Sequence, residues 1–271
     1  MGPVSAIDGR LLRTHFSRHA DDYDRYAAVQ KRVVSRLVAQ LAGSGPLTGL
    51  VLDVGTGTGA LARELGSRHP DCRFVLSDLA HGMTRAARQH LPGALACDGD
   101  ARALPFAAGC FRTVVSSSVY QWVDDLPAAF REIRRVLQPG GRFVVALFGR
   151  DTLFELRDAH RRATAECGSA HPSHVQEFPA AQEVASALEE SGLPPGEFAS
   201  FREVEWHRDV PDLLRQLKQI GASNAAADRP KGLASRQVMQ RMMALYEERH
   251  RTPAGIPATY EVVCALATKT P

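Results

Sequence analysis

The sequence predicts an α/β fold built on a doubly wound, mostly parallel β-sheet. Three observations carry this. Short apolar runs alternate with amphipathic helical stretches between residues 50 and 148. The first run passes through closely spaced glycines, VLDVGTGTG at 51–59, into a helix. Beyond residue 150 the alternation loosens into two longer strand-like runs separated by a mainly helical stretch, 208–257.

Taken in order, residues 13–42 place Tyr23, Tyr26, Val33, Val34, Leu37, Val38 and Leu41 at helical spacing, and GSGP at 43–46 ends that helix. LVLDV (50–54) is a continuous apolar run, the signature of a strand buried on both faces. A helix is expected over 58–69, a strand at RFVLSD (73–78), a helix over 80–91, and strands at ALAC (94–97) and FRTVVSSS (111–118). DLPAAFREIRRVLQ (125–138) reads as a strongly amphipathic helix stopped by Pro139-Gly140-Gly141, and RFVVALF (142–148) as the fifth strand. Helices follow at 152–164 and 179–191, and strands at 197–210 and 258–269, the last alternating at period two. The expected architecture is therefore five parallel strands plus a C-terminal antiparallel pair. The stretch between the last two strands is too long for a simple loop and is expected to form a cap. The chain divides into an N-terminal helical segment (1–45), a core (46–207 and 258–271) and a helical cap insertion (208–257). Ligands of such sheets bind beyond the carboxyl ends of the strands, where the strand order reverses.

Composition narrows the function. Hydrophobic residues make up 44% of the 271, enough for a substantial core. A net charge of +3 gives no indication of a nucleic-acid partner. No segment approaches the roughly 18 consecutive apolar residues of a membrane span. Arg10, Arg13 and Arg18 with polar neighbours leave no apolar leader in residues 1–20. Five scattered cysteines without a CxxC pair read as reduced thiols of a cytoplasmic protein.

Gly55, Gly57 and Gly59 let the backbone turn tightly and a ligand approach it closely. The spacing is GxGxG rather than the dinucleotide GxGxxG, and Asp53 precedes it. A carboxylate there repels a diphosphate and suits a cation. At this motif the chain resembles the class I S-adenosylmethionine-dependent methyltransferases, whose doubly wound, Rossmann-like sheet carries a first motif of this form. The resemblance implies S-adenosylmethionine as cofactor and S-adenosylhomocysteine as product. It further implies that Asp78, ending the second strand, accepts hydrogen bonds from both ribose hydroxyls, and that Asp100 and the amide of Ala101 meet the adenine. Leu79 and Met83 are apolar candidates for flanking that ring, Met83 being equally a helix-core residue. Thr56 and Ser117 complete the cofactor-binding candidates. Each acid alone is as readily a solvated loop residue; three at the ends of three successive strands are not.

Amine and hydroxyl acceptors of a methyl group usually need a base, whereas a carboxylate is already ionised at neutral pH. The histidines identify no base. His15 and His19, and likewise His171 and His174, lack a completing carboxylate or cysteine set, so no metal is expected. SSSVYQWVDD (116–125) follows the fourth strand at the carboxyl edge of the sheet. Gln121 and Trp122 are acceptor-pocket candidates, Trp122 also a core candidate. Asp124 either faces the acceptor or, with Asp125 as the alternative, caps the next helix. Tyr23 is a candidate to close over the site, or a core tyrosine.

Later stretches are more specific. FSRHADDYDRYAAVQ, SSSVYQWVDDL, LFGRDTLFELRDAH, HVQEFPAAQEVASAL, LLRQLKQIGASNA, GLASRQVM and GIPATYEVVCALA resemble, in order, the malonyl-acyl-carrier-protein O-methyltransferases of biotin synthesis. The resemblance spans about residues 15 to 268. It implies methylation of the free carboxylate of malonyl carried on acyl carrier protein, with malonyl-coenzyme A as a second candidate, by positioning and exclusion of water rather than by a base. It also implies a basic surface for an acidic carrier. Residues 208–257 hold nine Lys or Arg against five acids, and Lys218, Arg229 and Lys231 are the candidates for holding the carrier protein. Arg150 is the candidate to steer the malonyl carboxylate. In LKQIGASNA, Leu217 and Ile220 are expected to pack inward, with Gly221, Ser223 and Asn224 turning the chain near the acceptor. The protein is expected to act as a monomer. Methylation of another small molecule, a non-methylating relative such as a respiratory complex I assembly factor or protein arginine hydroxylase, and cofactor binding without catalysis remain open alternatives.

Overall fold

The computed structural model describes residues 7–168, 177–221 and 236–270. In chain order the elements are α1 (Gly9–His19), α2 (Tyr23–Tyr26), α3 (Ala28–Gly43), β1 (Leu50–Val54), α4 (Ala60–Arg68), β2 (Arg73–Asp78), α5 (His81–His90), β3 (Leu95–Asp98) and β4 (Phe111–Ser117). They continue through a 3-10 turn (Tyr120–Trp122) to α6 (Leu126–Val136), β5 (Leu137–Phe148), α7 (Phe154–Glu166), α8 (Ala181–Glu190), β6 (Pro195–His207), α9 (Val210–Gln219), α10 (Arg236–His250) and β7 (Ile256–Thr268).

Among the described residues the strands form one seven-stranded sheet ordered β3-β2-β1-β4-β5-β7-β6. The first five are parallel, and β7 runs antiparallel between β5 and β6. The five parallel strands and the antiparallel C-terminal pair are those expected. Strand order reverses between β1 and β4, so their carboxyl ends diverge around a crevice. β1 is apolar apart from Asp53 because helices cover both faces of the sheet. One face packs on α3, α4, α7 and α10, and the other on α6 and α8. No described helix is long and apolar enough to cross a membrane.

Helix α6 shows how local chemistry sets an element. The Asp125 carboxylate accepts from the Ala128 amide at 2.9 Å, Pro127 occupies the first turn, and Arg134 and Arg135 sit in the last. Leu126, Ala129, Phe130, Ile133 and Val136 form the buried stripe. The cap is therefore Asp125. Asp124 accepts from the Ile7 amide at 2.9 Å instead, pinning the start of the described chain to the sheet edge.

Two boundaries differ from expectation. The single helix expected over 13–42 is three. The helical path breaks at Ala27 (φ −86°, ψ 47°) after a turn in which the Asp22 amide bonds the His19 carbonyl. Apolar spacing survives across the break, so periodicity alone does not register it. The strand expected from 142 begins at Leu137, which pairs with Phe111. A register shift between Phe111 and Thr113 then absorbs the Pro-Gly-Gly turn, with Gly140 at φ +70°.

The stretch between β6 and β7 contains α9 and α10. Both drive apolar residues (Val210, Leu213, Val238, Met242) into the cluster shared by α3 and β5. Replacing Asp125 with Ala is expected to cost about 1 kcal/mol and to lower the melting temperature by about 2–4 °C, read by thermal unfolding.

Candidate active site

The loop after β1 is shaped by what lies beside it. Gly55 has φ +66°, and a Cβ there would stand 2.1 Å from Val119 Cγ2, on the loop after β4. Only glycine lets these two loops approach. The Gly55 and Thr56 amides both donate to the Ser77 carbonyl, at 2.7 and 3.0 Å, tying the loop to β2. Gly59, at φ +85°, turns the chain into α4.

Four carboxylates line the resulting pocket: Asp24 on α2 and, from the sheet side, Asp53, Asp78 and Asp100. Asp53 is 1% exposed and accepts from Thr56 Oγ1 at 2.8 Å. Burial, reinforced by the charge of Asp78, raises its pKa to about 7. Asp78 accepts from the Gly57 amide at 2.9 Å on one oxygen and from the Ala80 amide at 2.8 Å on the other. Burial still lifts its pKa to about 6. Neither acid has an ion pair among the described residues. Asp100 differs: Arg102 hydrogen-bonds its carboxylate (Nη2 to Oδ2 2.7 Å) and holds it below the usual range. On its sheet side the pocket thus presents two desolvated acids without an ion pair, a demand for a cation.

Helices α1 to α3 roof this pocket. α1 lies so close to α5 that a Cβ on Gly82 would stand 2.5 Å from the Ser17 carbonyl oxygen. Thr58 Oγ1 donates to Asp24 at 2.7 Å, latching α2 to the glycine loop. A second, largely apolar pocket adjoins the first; Phe148, Leu156, Phe178, Leu217, Ile220 and Met242 help form its walls. The two pockets share Phe16, Tyr23, Gln30, Ser118 and Trp122.

The cofactor candidates Asp53, Gly55, Thr56, Gly57, Asp78, Leu79, Met83, Asp100, Ala101 and Ser117 all line the first pocket. Gly59 shapes it from the start of α4. Met83 also packs on Ala20 and Ala80 and is 2% exposed, which bears out its reading as a core residue while it lines the pocket. Trp122 stands between the pockets, its ring edge-on to Phe16 and Phe178 at 6.1 and 5.5 Å between centroids. Tyr23 is half-buried against Phe16, and burial pushes its phenol well above the usual range. Gln121 lines the second pocket but spends its amide on structure: Nε2 donates to the Ser118 carbonyl at 2.8 Å.

Others are elsewhere. Arg150 reaches neither pocket; its guanidinium pairs with Glu183 at 2.7 Å, both half exposed, so it does not face an acceptor. Asp124 is likewise outside both. Lys218 is exposed and also borders the second pocket, and it has no ion pair among the described residues. Leu217 and Ile220 do pack inward, and Gly221 (φ +71°) turns against His15 and Phe16. Ser223, Asn224, Arg229 and Lys231, with His171 and His174, lie outside the described residues. Gln30, Thr58, Ser118 and Phe178 escaped sequence reasoning. Gln30 reads as one polar position of a helix, and Ser118 gives no sign of its positive φ of 60°.

A family model described as a methyltransferase domain matches residues 52–145. The malonyl-[acyl-carrier protein] O-methyltransferase of Geobacter sulfurreducens is 45% identical, with 97% of this chain and 100% of that protein covered. The biotin biosynthesis bifunctional protein BioHC of Cellvibrio japonicus is 34% identical over 98% of this chain and 51% of its own length. Among solved structures, the geranyl diphosphate C-methyltransferase of Streptomyces coelicolor, in complex with Mg2+, geranyl diphosphate and S-adenosyl-L-homocysteine, has a TM-score of 0.52 at 14% identity. That likeness covers 87% of this chain and 77% of the other.

A cation that binds the ionised acids loses affinity as they protonate. With pKa values raised to about 7 and about 6, binding is full above both and falls as pH drops through each. Titration calorimetry with S-adenosylmethionine is expected to show affinity falling on the order of a hundredfold from about pH 8.5 to about pH 5.5, while neutral methylthioadenosine falls far less.

Proposed function

The chain belongs to the malonyl-[acyl-carrier protein] O-methyltransferase family, and from that premise we propose that it methylates the free carboxylate of a malonyl thioester on acyl carrier protein, with S-adenosylmethionine as donor. The observation that carries this reading is a pocket holding two desolvated acids without an ion pair, adjoined by a largely apolar pocket with one lysine at its border.

The first pocket fits a cationic nucleoside. Asp53 and Asp78 offer the negative charge, and Gly57 leaves open space above the loop. Asp78, held by two backbone amides, keeps lone pairs for hydroxyl donors. Asp100 and Ala101 close the far end, and Leu79 and Met83 give apolar contact. S-adenosylmethionine supplies an electrophilic methyl group when bound.

The rest falls to the chain's own residues. A malonyl carboxylate is ionised at neutral pH, so no side chain has to remove a proton. Phe16, Trp122 and Phe178 keep water from the junction, which strengthens attraction between a carboxylate and a positive centre. Tyr23 stays neutral and can donate from its hydroxyl without supplying charge. Lys218, exposed at the border of the second pocket, attracts the anionic malonyl carrier towards it. Arg229 and Lys231 are proposed for the carrier-protein surface. The name of the Cellvibrio relative supports a place in biotin synthesis, where a masked carboxylate lets the acyl group be elongated as if it were apolar.

Incubated with S-adenosylmethionine and malonyl-acyl-carrier protein, the enzyme is expected to add the mass of one methylene to the acyl group, read by mass spectrometry. No gain with cofactor binding intact sinks this function; a parallel reaction with malonyl-coenzyme A reads carrier preference. Lys218→Glu is expected to raise KM for the malonyl carrier by about tenfold or more at low salt while leaving cofactor affinity unchanged.

A further inference from the structure

Reaction between ligands in the two pockets has to occur where the pockets meet, and five side chains border that junction: Phe16, Tyr23, Gln30, Ser118 and Trp122. They are not equally able to hold an acceptor. Phe16 has no polar atom. Ser118 Oγ is buried without a hydrogen-bond partner and offers a single donor. Trp122 has a single donor, on a ring clamped edge-on between Phe16 and Phe178. Tyr23 offers one hydroxyl.

Gln30 stands apart. It is the third residue of α3, just beyond the break at Ala27 that turns this helix away from α2. Its neighbours Val29, Val33 and Val34 are buried in the core. The Gln30 side chain is half-buried in the wall of both pockets, and its carboxamide makes no hydrogen bond among the described residues. Left without a protein partner on the wall of both pockets, this amide is free to bond a ligand at their junction.

We propose that Gln30 positions the acceptor carboxylate, its side-chain amide donating to the oxygen that does not attack. The inference rests on the methyl-acceptor reading above and adds a residue to it. A neutral donor suits the chemistry. One carboxylate oxygen forms the new O–CH3 bond as the sulfonium C–S bond breaks, the electron pair of that bond stays on sulfur, and no proton moves. A full positive charge on the acceptor would weaken its attack. An amide orients it and leaves its charge for the sulfonium. Two donors on Gln30 Nε2 also fit a two-oxygen acceptor better than an amine or thiol.

The test uses the whole enzyme with S-adenosylmethionine and malonyl-acyl-carrier protein. Gln30→Met keeps the length and removes the donor; kcat is expected to fall by about tenfold or more with calorimetric affinity for S-adenosylmethionine unchanged. Gln30→Glu is expected to fall further, because its charge repels the acceptor. Its activity relative to wild type should recover as pH is lowered and the new carboxyl becomes a donor, a change no packing role produces. Wild-type turnover with both variants equally active overturns the role of Gln30 alone. Loss of cofactor affinity in step with kcat also overturns it, making Gln30 a wall of the first pocket. A wild-type enzyme that leaves malonyl carrier protein unmethylated overturns the acceptor reading itself and this inference with it.

Discussion

The approach of two loops at the carboxyl ends of β1 and β4 sets the geometry of everything around it. Gly55 admits Val119 because it has no side chain, and its positive φ is strained for any other residue. On the β4 side, Ser118 carries a positive φ of its own and Gln121 clamps its carbonyl. Strain of this kind persists where surrounding structure over-determines it. The consequence is a crevice with fixed walls at the point where strand order reverses. β1 brings Asp53 to one wall, and the β4 loop brings Trp122 to the other.

Electrostatics then follows from burial. Asp53 and Asp78 are each desolvated and each raised by a neighbouring acid: Asp78 acts on Asp53, and Asp98 on Asp78. Both carboxyls are costly to ionise in the folded chain, and that cost is lifted by a ligand with positive charge. Asp100 lies in the same pocket and behaves oppositely because Arg102 neutralises it. One pocket therefore holds a charged end and a neutralised end. The roof of α1 to α3 covers it with Phe16 and Tyr23, and the Asp24–Thr58 bond anchors that roof to the glycine loop.

Much of this was legible in the residues. The buried strands announce themselves as continuous apolar runs, and the glycines and three acids fall at strand ends because a crevice of this kind needs both. What stayed hidden depends on direction rather than on type. Arg150 and Lys218 are both exposed basic residues beside predicted elements, yet Arg150 pairs with Glu183 outside both pockets while Lys218 borders the second. The break at Ala27 keeps apolar spacing intact, so it is invisible to periodicity, although it is what brings Tyr23 and Gln30 to one junction. Asp124 reads two ways in the sequence because its neighbour Asp125 is as good a helix cap, and it serves a third role, accepting from the Ile7 amide.

The pairing of β6 with β7 extends to His207 opposite Ile256. The chain therefore leaves the sheet and rejoins it at adjacent points, and the intervening helices hang from a closed base. Their length and identity can change without altering any strand register on the cofactor side. Whatever replaces α9 and α10 has to cover the surface now met by Val210, Leu213, Val238 and Met242 and to make up for polar ties such as Arg241 to Glu166 and Tyr246 to the Pro257 carbonyl. Acceptor range can then diversify across relatives, or be engineered, by grafting at one neck while the donor half is inherited intact.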